Sequence, residues 1–274
     1  SDSELLLTWT DNIGYESGFK IERDGGSGFI EIGTVSSDVT AYTDSGLTFG
    51  QSYSYRVAAF TAVNTSSWAM VTATSCMSCV LDINGNVYTT IQIGDQVWMA
   101  ENLRVTHYRN GDPIPNLTAD GDWASTSSGA YCYYNNDSGT GETYGALYNW
   151  YAAVDSRNIA PAGWHVPTDA EWRELEIALG MSQSEAYDEG YRGTNEGSKL
   201  AGNAVLWNNG VLKNDSEFGN SGFSALPGGY RDYYYGRYVR KGTYAYFWSV
   251  TQRGNFGGWY RGLSYNYSDI QRYH

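Results

Sequence analysis

Basic residues, cysteine, histidine and long apolar stretches are all scarce in this chain of 274 residues. Its 17 Lys and Arg are outnumbered by 30 Asp and Glu, which gives a formal net charge of −13. Phosphate binding needs a basic stripe over most of a face, so this acidity argues against nucleic acid as a partner. No apolar run approaches the roughly 20 residues that a bilayer span requires. We therefore expect no direct insertion into a membrane.

Three cysteines offer little material for metal or redox chemistry. Cys76 and Cys79 form a C-x-x-C pair, and Cys132 stands alone. No second pair of ligands follows at zinc spacing, and no βαβ pattern surrounds the pair, so neither a zinc site nor a redox dithiol is indicated. We expect structural disulfides in an exported protein, with Cys132 paired to one of the other two cysteines or to a residue outside this sequence.

Histidine is equally scarce, since only His107 and His165 lie inside the chain. His165 precedes a helix cap, which favours a hydrogen-bonded framework role over that of a catalytic base. The polar loops 82–86 and 135–139 contain the oxygen ligands that calcium prefers, but the same residues form turns by bonding their own backbone. We favour turns at both loops, and we expect no cofactor.

Tyrosine, in contrast, is abundant near the C-terminus. Eleven of the 25 tyrosines lie between Tyr230 and His274, where seven Lys or Arg accompany only two Asp. Tyr and Trp offer large contact areas at little cost in rotamer entropy, and Lys and Arg are almost never buried. We predict a recognition surface on the loops 233–241, 252–256 and 265–273, and we assign Phe247, Trp248 and Trp259 to the core. The predicted ligand-binding residues are Tyr233, Tyr234, Tyr235, Arg237, Tyr238, Arg240, Tyr244, Arg253, Asn255, Phe256, Tyr260, Tyr265, Asn266, Tyr267 and Tyr273.

The region 1–75 shows short alternating strands between Gly- and Ser-rich turns, including a hairpin at Asp24-Gly25-Gly26. This pattern predicts an all-β sandwich. The stretch Leu47-Thr48-Phe49-Gly50-Gln51-Ser52-Tyr53-Ser54-Tyr55-Arg56-Val57, together with Trp9, resembles a fibronectin type III domain. The resemblance implies a spacer that presents other domains, with a buried Trp9 and with its first strand outside this sequence.

The region 76–274 changes in character. Asn84-Gly85 and Gly94-Asp95 are hairpin signals. We predict one helix over Thr143–Val154 and a second that is capped by Thr168 and Glu171, faces inward with Trp172, Leu175 and Leu179, and ends at Gly180. After about Gly190, glycines interrupt the sequence often, and we expect loops with small strands.

This second region resembles the Fibrobacter succinogenes major paralogous domain family over its whole length. The resemblance rests on five motifs: residues 82–88 (DINGNVY), 96–104 (QVWMAENLR), 144–150 (YGALYNW), 163–168 (GWHVPT) and 222–231 (GFSALPGGYR). It implies an α+β C-type-lectin-like domain with two main helices and many loops. This fold is shared with the enzymes that generate formylglycine in sulfatases and with variable proteins diversified by retroelements. It also implies secreted or surface-attached bacterial proteins, and a final strand bearing a cysteine beyond His274.

The catalytic and sugar-binding motifs of proteins with this fold are missing from the sequence. The formylglycine-generating relatives oxidise a cysteine with a late pair of cysteines, but no cysteine follows Cys132, so we expect no enzyme. The Glu-Pro-Asn or Gln-Pro-Asp motif of calcium-dependent lectins is also absent. We expect an extracellular binding protein whose Tyr/Arg-rich face recognises a protein or a glycan, with a structural or adhesive subunit of a surface fibre or secreted assembly as the alternative.

Overall fold

The computed structural model describes residues 5–12, 14–48, 51–74, 79–254 and 257–274. The chain divides into two compact units, Ser1–Cys79 and Val80–His274. The sequence-based boundary was placed four residues earlier, after residue 75. Strands dominate, and the helices are few and short. Among the described residues, no helix has the length and apolarity that a membrane span requires.

The first unit contains two antiparallel sheets. Its strands are β1 (Leu5–Thr8), β2 (Gly18–Asp24), β3 (Ile30–Ser36), β4 (Ala41–Asp44), β5 (Ser52–Phe60) and β6 (Ala69–Thr74). One sheet has the order β3-β2-β5-β6, and the other pairs β1 with β4. The predicted turn at Asp24-Gly25-Gly26 does connect two paired strands, because the Asp24 carboxylate accepts hydrogen bonds from the backbone of Gly26 and Gly28.

Both sheets contribute to the core of this unit. Leu7 from β1 packs with Ile21 from β2 and Tyr55 from β5. Asp44, at the end of β4, is buried and bonds across to the other sheet, where it accepts hydrogen bonds from the Tyr55 hydroxyl at 2.8 Å and from Arg23 at 2.9 Å. Trp9, expected to be buried, is half-buried beside Phe19.

Within its described residues, the second unit combines four small sheets with six short α-helices. Its strands are β7 (Cys79–Leu81), β8 (Val87–Ile93), β9 (Gln96–Met99), β10 (Tyr131–Cys132), β11 (Leu147–Tyr148), β12 (Gly190–Arg192), β13 (Tyr230–Arg231), β14 (Tyr238–Val239), β15 (Tyr244–Arg253), β16 (Gly257–Ser264) and β17 (Ile270–Tyr273). Its helices are α1 (Asp120–Ser125), α2 (Ser138–Tyr144), α3 (Trp150–Ala153), α4 (Asp169–Ala178), α5 (Glu196–Leu200) and α6 (Val211–Asn214). The largest sheet has the order β12-β17-β16-β15, and β7-β8-β9 form a second.

Helix α4 packs against one face of the largest sheet. Trp172 and Leu175 of α4 join Ala245, Leu263 and Ile270 from three strands of that sheet in one buried cluster. The predicted capping box is present: the Thr168 hydroxyl accepts from the Glu171 backbone, and the Glu171 carboxylate accepts from the Thr168 backbone. The cap and the apolar spacing are both local signals, which explains why this helix was predictable.

The predicted helix over Thr143–Val154 does not form as one element. Gly145 adopts φ 77° and ψ −170°, a conformation that ends α2 and is essentially restricted to glycine. A Cβ atom at Gly145 would lie 2.6 Å from the Cβ of Asn102. The chain therefore continues as β11, and the short α3 starts again from Asn149, whose side chain caps it.

The end of the chain also differs from the expectation of loops with small strands. β15 and β16, with ten and eight residues, are the longest strands of the second unit within the described residues. They pair in antiparallel register from Tyr244 opposite Ser264 to Arg253 opposite Gly257, with a bulge between Trp248 and Gln252. The tyrosine-rich segment is thus mostly sheet.

The cysteines behave differently from the expected pairing. Cys79 is disulfide-bonded, but Cys132 is free and fully buried. Cys132 packs beside Trp123 and Ala130. The expected pairing of Cys132 with Cys76 or Cys79 was therefore wrong, and the alternative, a partner outside this sequence, stays a prediction. Cys76 lies outside the described residues.

Candidate functional site

The two faces of the largest sheet carry different side chains. The inner face, against α4, holds the apolar cluster together with Arg261 and Arg272. Because side chains alternate along a strand, the neighbouring residues point the opposite way. We call these outer residues the aromatic face, and its members are Tyr191, Tyr244, Tyr246, Trp248, Tyr260 and Tyr273.

Rings on the aromatic face touch one another from strand to strand. Tyr244 and Tyr246 stack along β15 at 5.7 Å between ring centroids. Tyr260 of β16 contacts three rings, Tyr246 at 5.5 Å, Trp248 at 6.0 Å and Tyr273 at 6.2 Å. These distances and the tilted or edge-on geometries are those of favourable aromatic pairs. The result is a continuous aromatic layer across three strands.

The hydroxyl groups of Tyr191, Tyr246 and Tyr260 keep their protons at neutral pH. Burial raises the pKa of Tyr246 and of Tyr260. Burial, followed by the charge of Tyr244, raises the pKa of Tyr191 to about 12. Protonated hydroxyls both donate and accept hydrogen bonds, so the layer offers polar groups as well as ring faces.

Three cations of this segment lie over tyrosine rings, but only Arg240 lies over a ring of the aromatic face. The Arg240 guanidinium lies 4.4 Å from the Tyr244 ring centroid, Arg237 lies 5.2 Å from that of Tyr235, and Lys241 lies 5.2 Å from that of Tyr134. Within the described residues, none of these three cations forms an ion pair, whereas Arg253 pairs with Glu189 at 3.3 Å. Exposed cations beside ring faces suit a ligand that carries negative charge.

A second aromatic group stands on the turn between β13 and β14. Tyr233, Tyr234 and Tyr235 are 83%, 68% and 59% exposed, and their rings contact one another in sequence. We call these three residues the tyrosine turn. Large aromatic side chains are rarely left this exposed side by side unless they contact something else.

Hydrogen bonds with Asp232 and Arg231 fix the backbone of the tyrosine turn. The Asp232 carboxylate accepts from the backbone N–H groups of Tyr234 and Tyr235, at 2.7 and 2.6 Å. The buried Arg231 donates to the carbonyls of Gly236, Leu117 and Thr118 and to Asp120. The exposed rings are therefore displayed by a fixed turn.

A cleft of about 1310 Å³ lies within the second unit, between the aromatic face and the tyrosine turn. Tyr246, Trp248 and Tyr260 line it from the sheet, and Tyr233 lines it from the turn. Trp123, Trp150 and Trp164 are also among its lining residues. Trp172 and Phe223 of the buried α4 cluster also line it, so part of this volume extends into the core of the second unit.

The predicted ligand-binding residues fall into several groups. Tyr244, Tyr260 and Tyr273 lie on the aromatic face. The tilted ring of Tyr267 packs on Tyr191 at 4.5 Å between centroids, beside the exposed Asn266. Arg240 borders that face. Tyr233, Tyr234, Tyr235 and Arg237 form or flank the tyrosine turn, and Arg253 is exposed at the end of β15. Asn255 and Phe256 lie outside the described residues.

Two predicted residues have framework positions instead. Tyr265 is half-buried and packs against the α4 core. Tyr238 is also half-buried, and its hydroxyl donates to Asn136 at 2.5 Å while its ring packs on Tyr134. Both were assigned to exposed loops because the sequence does not show which tyrosines turn inward.

Four residues of the surface were missed. Tyr246 and Trp248 share the parity of Tyr244 along β15, so strict alternation identifies them. Trp248 was assigned to the core, and it is indeed half-buried, with its indole N–H donating to the Tyr148 carbonyl at 2.9 Å. Tyr230 packs edge-on against Tyr246 at 5.1 Å. Tyr191 comes from a distant part of the sequence and joins only because β12 pairs with β17.

The residues considered for other chemistry have partners in the fold. His165 Nε2 lies 2.7 Å from Glu171, the capping-box residue. Both oxygens of Asp82 accept hydrogen bonds, from the backbone of Asn84, from the backbone and side chain of Asn86 and from the Tyr88 hydroxyl. Asp137 caps α2. These loops are turns of the kind expected from their composition.

The described residues thus form a mostly β-sheet protein whose second unit displays tyrosines and unpaired cations on one surface. Residues 91–273 match the Fibrobacter succinogenes major domain, and the chain belongs to that family. No curated protein matches the chain.

Solved structures that resemble the chain include fibronectin type III domains. One is described as "Structure of FN3tt mut", with 22% identity and a TM-score of 0.25; the match covers 28% of this chain and 81% of that one. Another is the twitchin kinase region from C. elegans, with 15% identity and a TM-score of 0.25, where the match covers 47% of this chain and 22% of that one. Scores at this level carry no argument about fold or function.

Proposed function

We propose that this protein is a non-enzymatic, extracellular bacterial binding protein whose C-terminal unit captures a protein or glycan ligand. The ligand would contact the tyrosine turn and the outer part of the aromatic face. The observation that carries the proposal is the tyrosine turn, three adjacent tyrosines that are each more than half exposed on a turn fixed by Asp232 and Arg231. Preorganised rings lose little entropy when they bind, which favours affinity.

The charge distribution supports a ligand with acidic groups. Arg237 lies beside the tyrosine turn, Arg240 beside the aromatic face and Lys241 beside Tyr134. None of the three forms an ion pair within the described residues, although the chain as a whole carries −13. A local positive surface on an acidic protein selects for anionic partners through complementarity. Sialylated or sulfated glycans and acidic protein surfaces both have this chemistry, and tyrosine rings also stack on sugar rings.

Two further parts of the proposal come from the family resemblance. We infer a C-type-lectin-like fold for residues 76–274 and a fibronectin type III spacer for residues 1–75. Export is supported by the disulfide of Cys79, because disulfides persist mainly in oxidising compartments. Diversification of the surface by a retroelement is part of the same proposal, and a comparison of this segment across many isolates tests it: variation should concentrate in the exposed tyrosines.

The test is a screen of the immobilised full chain against arrays of glycans and of host and bacterial surface proteins. Binding of each positive probe is then measured for wild type and for the triple variant Tyr233→Ala/Tyr234→Ala/Tyr235→Ala. The matched control is Tyr15→Ala, because Tyr15 in the first unit is also 83% exposed. We expect loss of binding in the triple variant alone, with unchanged thermal unfolding. Equal binding by all three proteins would remove the proposal.

Assembly into a fibre or secreted complex is the alternative use of the same surface. Light scattering over a range of protein concentrations distinguishes the two. A mass that stays at one chain while a probe binds supports the ligand-binding protein. A mass that grows with concentration, and returns to one chain in the triple variant, supports the assembly subunit.

A further inference from the structure

Three carboxylates meet at one end of the first unit. Asp11 and Glu16 lie between β1 and β2, and Asp38 lies in the turn between β3 and β4. One side-chain oxygen from each residue lies within 4.8 Å of the others. This cluster is separate from the ligand-binding surface of the second unit, and the inference drawn from it does not depend on the proposed function.

Backbone hydrogen bonds bring the two loops together. The Trp9 N–H donates to the Thr40 carbonyl at 3.1 Å, which extends the β1–β4 pairing towards Asp11. The Val39 N–H donates to Ser36 at 3.3 Å and closes a turn in which Asp38 has φ 63°. The juxtaposition of the carboxylates is therefore built into the strand pairing.

The buried side chain of Glu16 is a second, independent indication of a cation site. Its side chain is only 8% exposed, and its Oε2 atom is buried without any hydrogen-bond partner. Neither Glu16 nor Asp38 forms an ion pair with a described Lys or Arg. A buried carboxylate oxygen without a donor is strongly unfavourable, and nearby negative charges add to the cost. A bound cation removes both penalties.

We propose that Asp11, Glu16 and Asp38 form a Ca²⁺ site. Carboxylate oxygens are hard ligands, which calcium and magnesium prefer, whereas zinc favours nitrogen and sulfur. The three oxygens lie within 4.8 Å of one another, close enough for one ion to bind all three. Calcium accepts several carboxylates in irregular geometry, whereas magnesium demands a near-ideal octahedron and usually keeps several waters, so three carboxylates from two loops suit calcium better. Asp38 is exposed, so water completes the coordination from the solvent side.

The position of the site gives the ion a structural role. Asp11 follows β1 of the two-stranded sheet, Glu16 precedes β2 of the four-stranded sheet, and Asp38 lies where the chain passes from β3 to β4. One ion would hold both sheets together at this end of the sandwich. We therefore expect calcium to stabilise the first unit, as any ligand of the folded state does.

Calorimetric titration of the chelator-treated full chain with CaCl₂ tests the site. We expect one ion per wild-type chain, and a loss of affinity of at least about tenfold in Glu16→Gln and in Asp38→Asn, since each removes a charged ligand. The matched control is Glu31→Gln, an exposed carboxylate on β3 outside the cluster, which should bind as wild type does. Because Asp38 is exposed, Asp38→Asn should fold normally, and it tests the calcium site even if Glu16→Gln folds poorly.

Thermal unfolding provides a second measurement. Calcium should raise the unfolding temperature of the wild type and of Glu31→Gln, but not that of Glu16→Gln. In chelator, Glu16→Gln should unfold at a higher temperature than the wild type, because the amide removes the unpartnered buried charge. No calcium binding by the wild type at millimolar concentration would overturn the site. So would undiminished binding by both cluster variants, which would place calcium elsewhere, or tighter binding of MgCl₂ than of CaCl₂.

Discussion

Arg261 donates from Nη1 to Asp169 Oδ1 at 2.8 Å, and both side chains are buried between α4 and the inner face of the largest sheet. The same arginine reaches Glu176 at 2.5 Å, and Asp169 also binds Arg272 at 2.9 Å. Arg192 completes the group by donating to Glu176 at 2.6 Å. Three arginines and two carboxylates therefore hold α4 against β12, β16 and β17, directly behind the aromatic face.

This network corrects the premise that the cations near the C-terminus lie on the surface. Of the seven Lys and Arg there, Arg231, Arg261 and Arg272 are buried. Each forms an ion pair, Arg231 with Asp120 and the other two with Asp169. Buried arginines are rare unless they are paired, and the carboxylate partners of these three, Asp120 and Asp169, lie outside the C-terminal segment. Only Arg237, Arg240, Lys241 and Arg253 remain exposed.

The first prediction concerns the cost of opening this network. Arg261→Met should lower the free energy of unfolding of the second unit by about 1–3 kcal/mol, because Asp169 and Glu176 each lose a buried charge-assisted hydrogen bond while Arg272 and Arg192 stay in place. Urea unfolding followed by tryptophan fluorescence measures the change, since Arg261 lies 5.9 Å from the Trp172 ring. Arg237→Met, at an exposed arginine, should change stability by less than about 0.5 kcal/mol. Equal effects of the two variants would contradict the role of the network.

The second prediction is a pH dependence. Burial alone would raise the pKa of Asp169, but the hydrogen bonds and charges of Arg272 and Arg261 outweigh it, so its folded-state pKa lies below the ordinary 3.8. A lowered folded-state pKa stabilises the fold above pH 3.8, and this contribution is lost as the pH falls through the folded-state value. The stability difference between wild type and Asp169→Asn should therefore be large at pH 7 and shrink below about pH 4. A difference that is constant from pH 7 to pH 3 would rule out this contribution.

A structural feature could be predicted from the sequence when the residues that determine it lie close together along the chain. Helix α4 was predicted with its cap and its inward residues, since Thr168, Glu171 and Leu175 lie within two turns of one another. The alternation along β15, which places Tyr244, Tyr246 and Trp248 on one face, is likewise a local pattern that the sequence shows. The position of Tyr191 on the aromatic face was not predictable, because it depends on the strand order β12-β17-β16-β15, which a single sequence does not specify.

At residues 143–154 the local sequence pattern gave a wrong prediction, because the backbone conformation of Gly145 interrupts the helix. Apolar residues at helical spacing suggested one continuous helix, yet Gly145 adopts a conformation that other residues rarely reach. The third prediction is that Gly145→Ala lowers the free energy of unfolding by more than the roughly 1–3 kcal/mol of backbone strain, because its Cβ also meets Asn102.

A matched glycine separates these two contributions. Gly163 also has a positive φ, 81°, but a Cβ atom there meets nothing within 4 Å. Gly163→Ala should therefore show the backbone cost alone. Chemical denaturation of both variants measures the difference, and a smaller loss in Gly145→Ala than in Gly163→Ala would show that the close approach to Asn102 relaxes freely.

The fourth prediction addresses the unpaired cations beside the rings, using a ligand selected by the array screen. The double variant Arg240→Gln/Lys241→Gln should weaken binding by about threefold to thirtyfold, since an exposed cation–π or charge contact contributes roughly 0.5–1 kcal/mol. Its binding should also depend less on salt than that of the wild type, because screened charges no longer assist association. Biolayer interferometry at two NaCl concentrations gives both quantities.

The control for this variant must change net charge without touching the surface. Arg157→Gln meets that need, because Arg157 is an exposed cation of the same unit that is already paired with Asp112 and Asp155. If Arg157→Gln weakens binding as much as the double variant does, the attraction is a property of the overall charge. If only the double variant loses affinity and salt dependence, Arg240 and Lys241 act at the binding surface, where no carboxylate competes with the ligand for them.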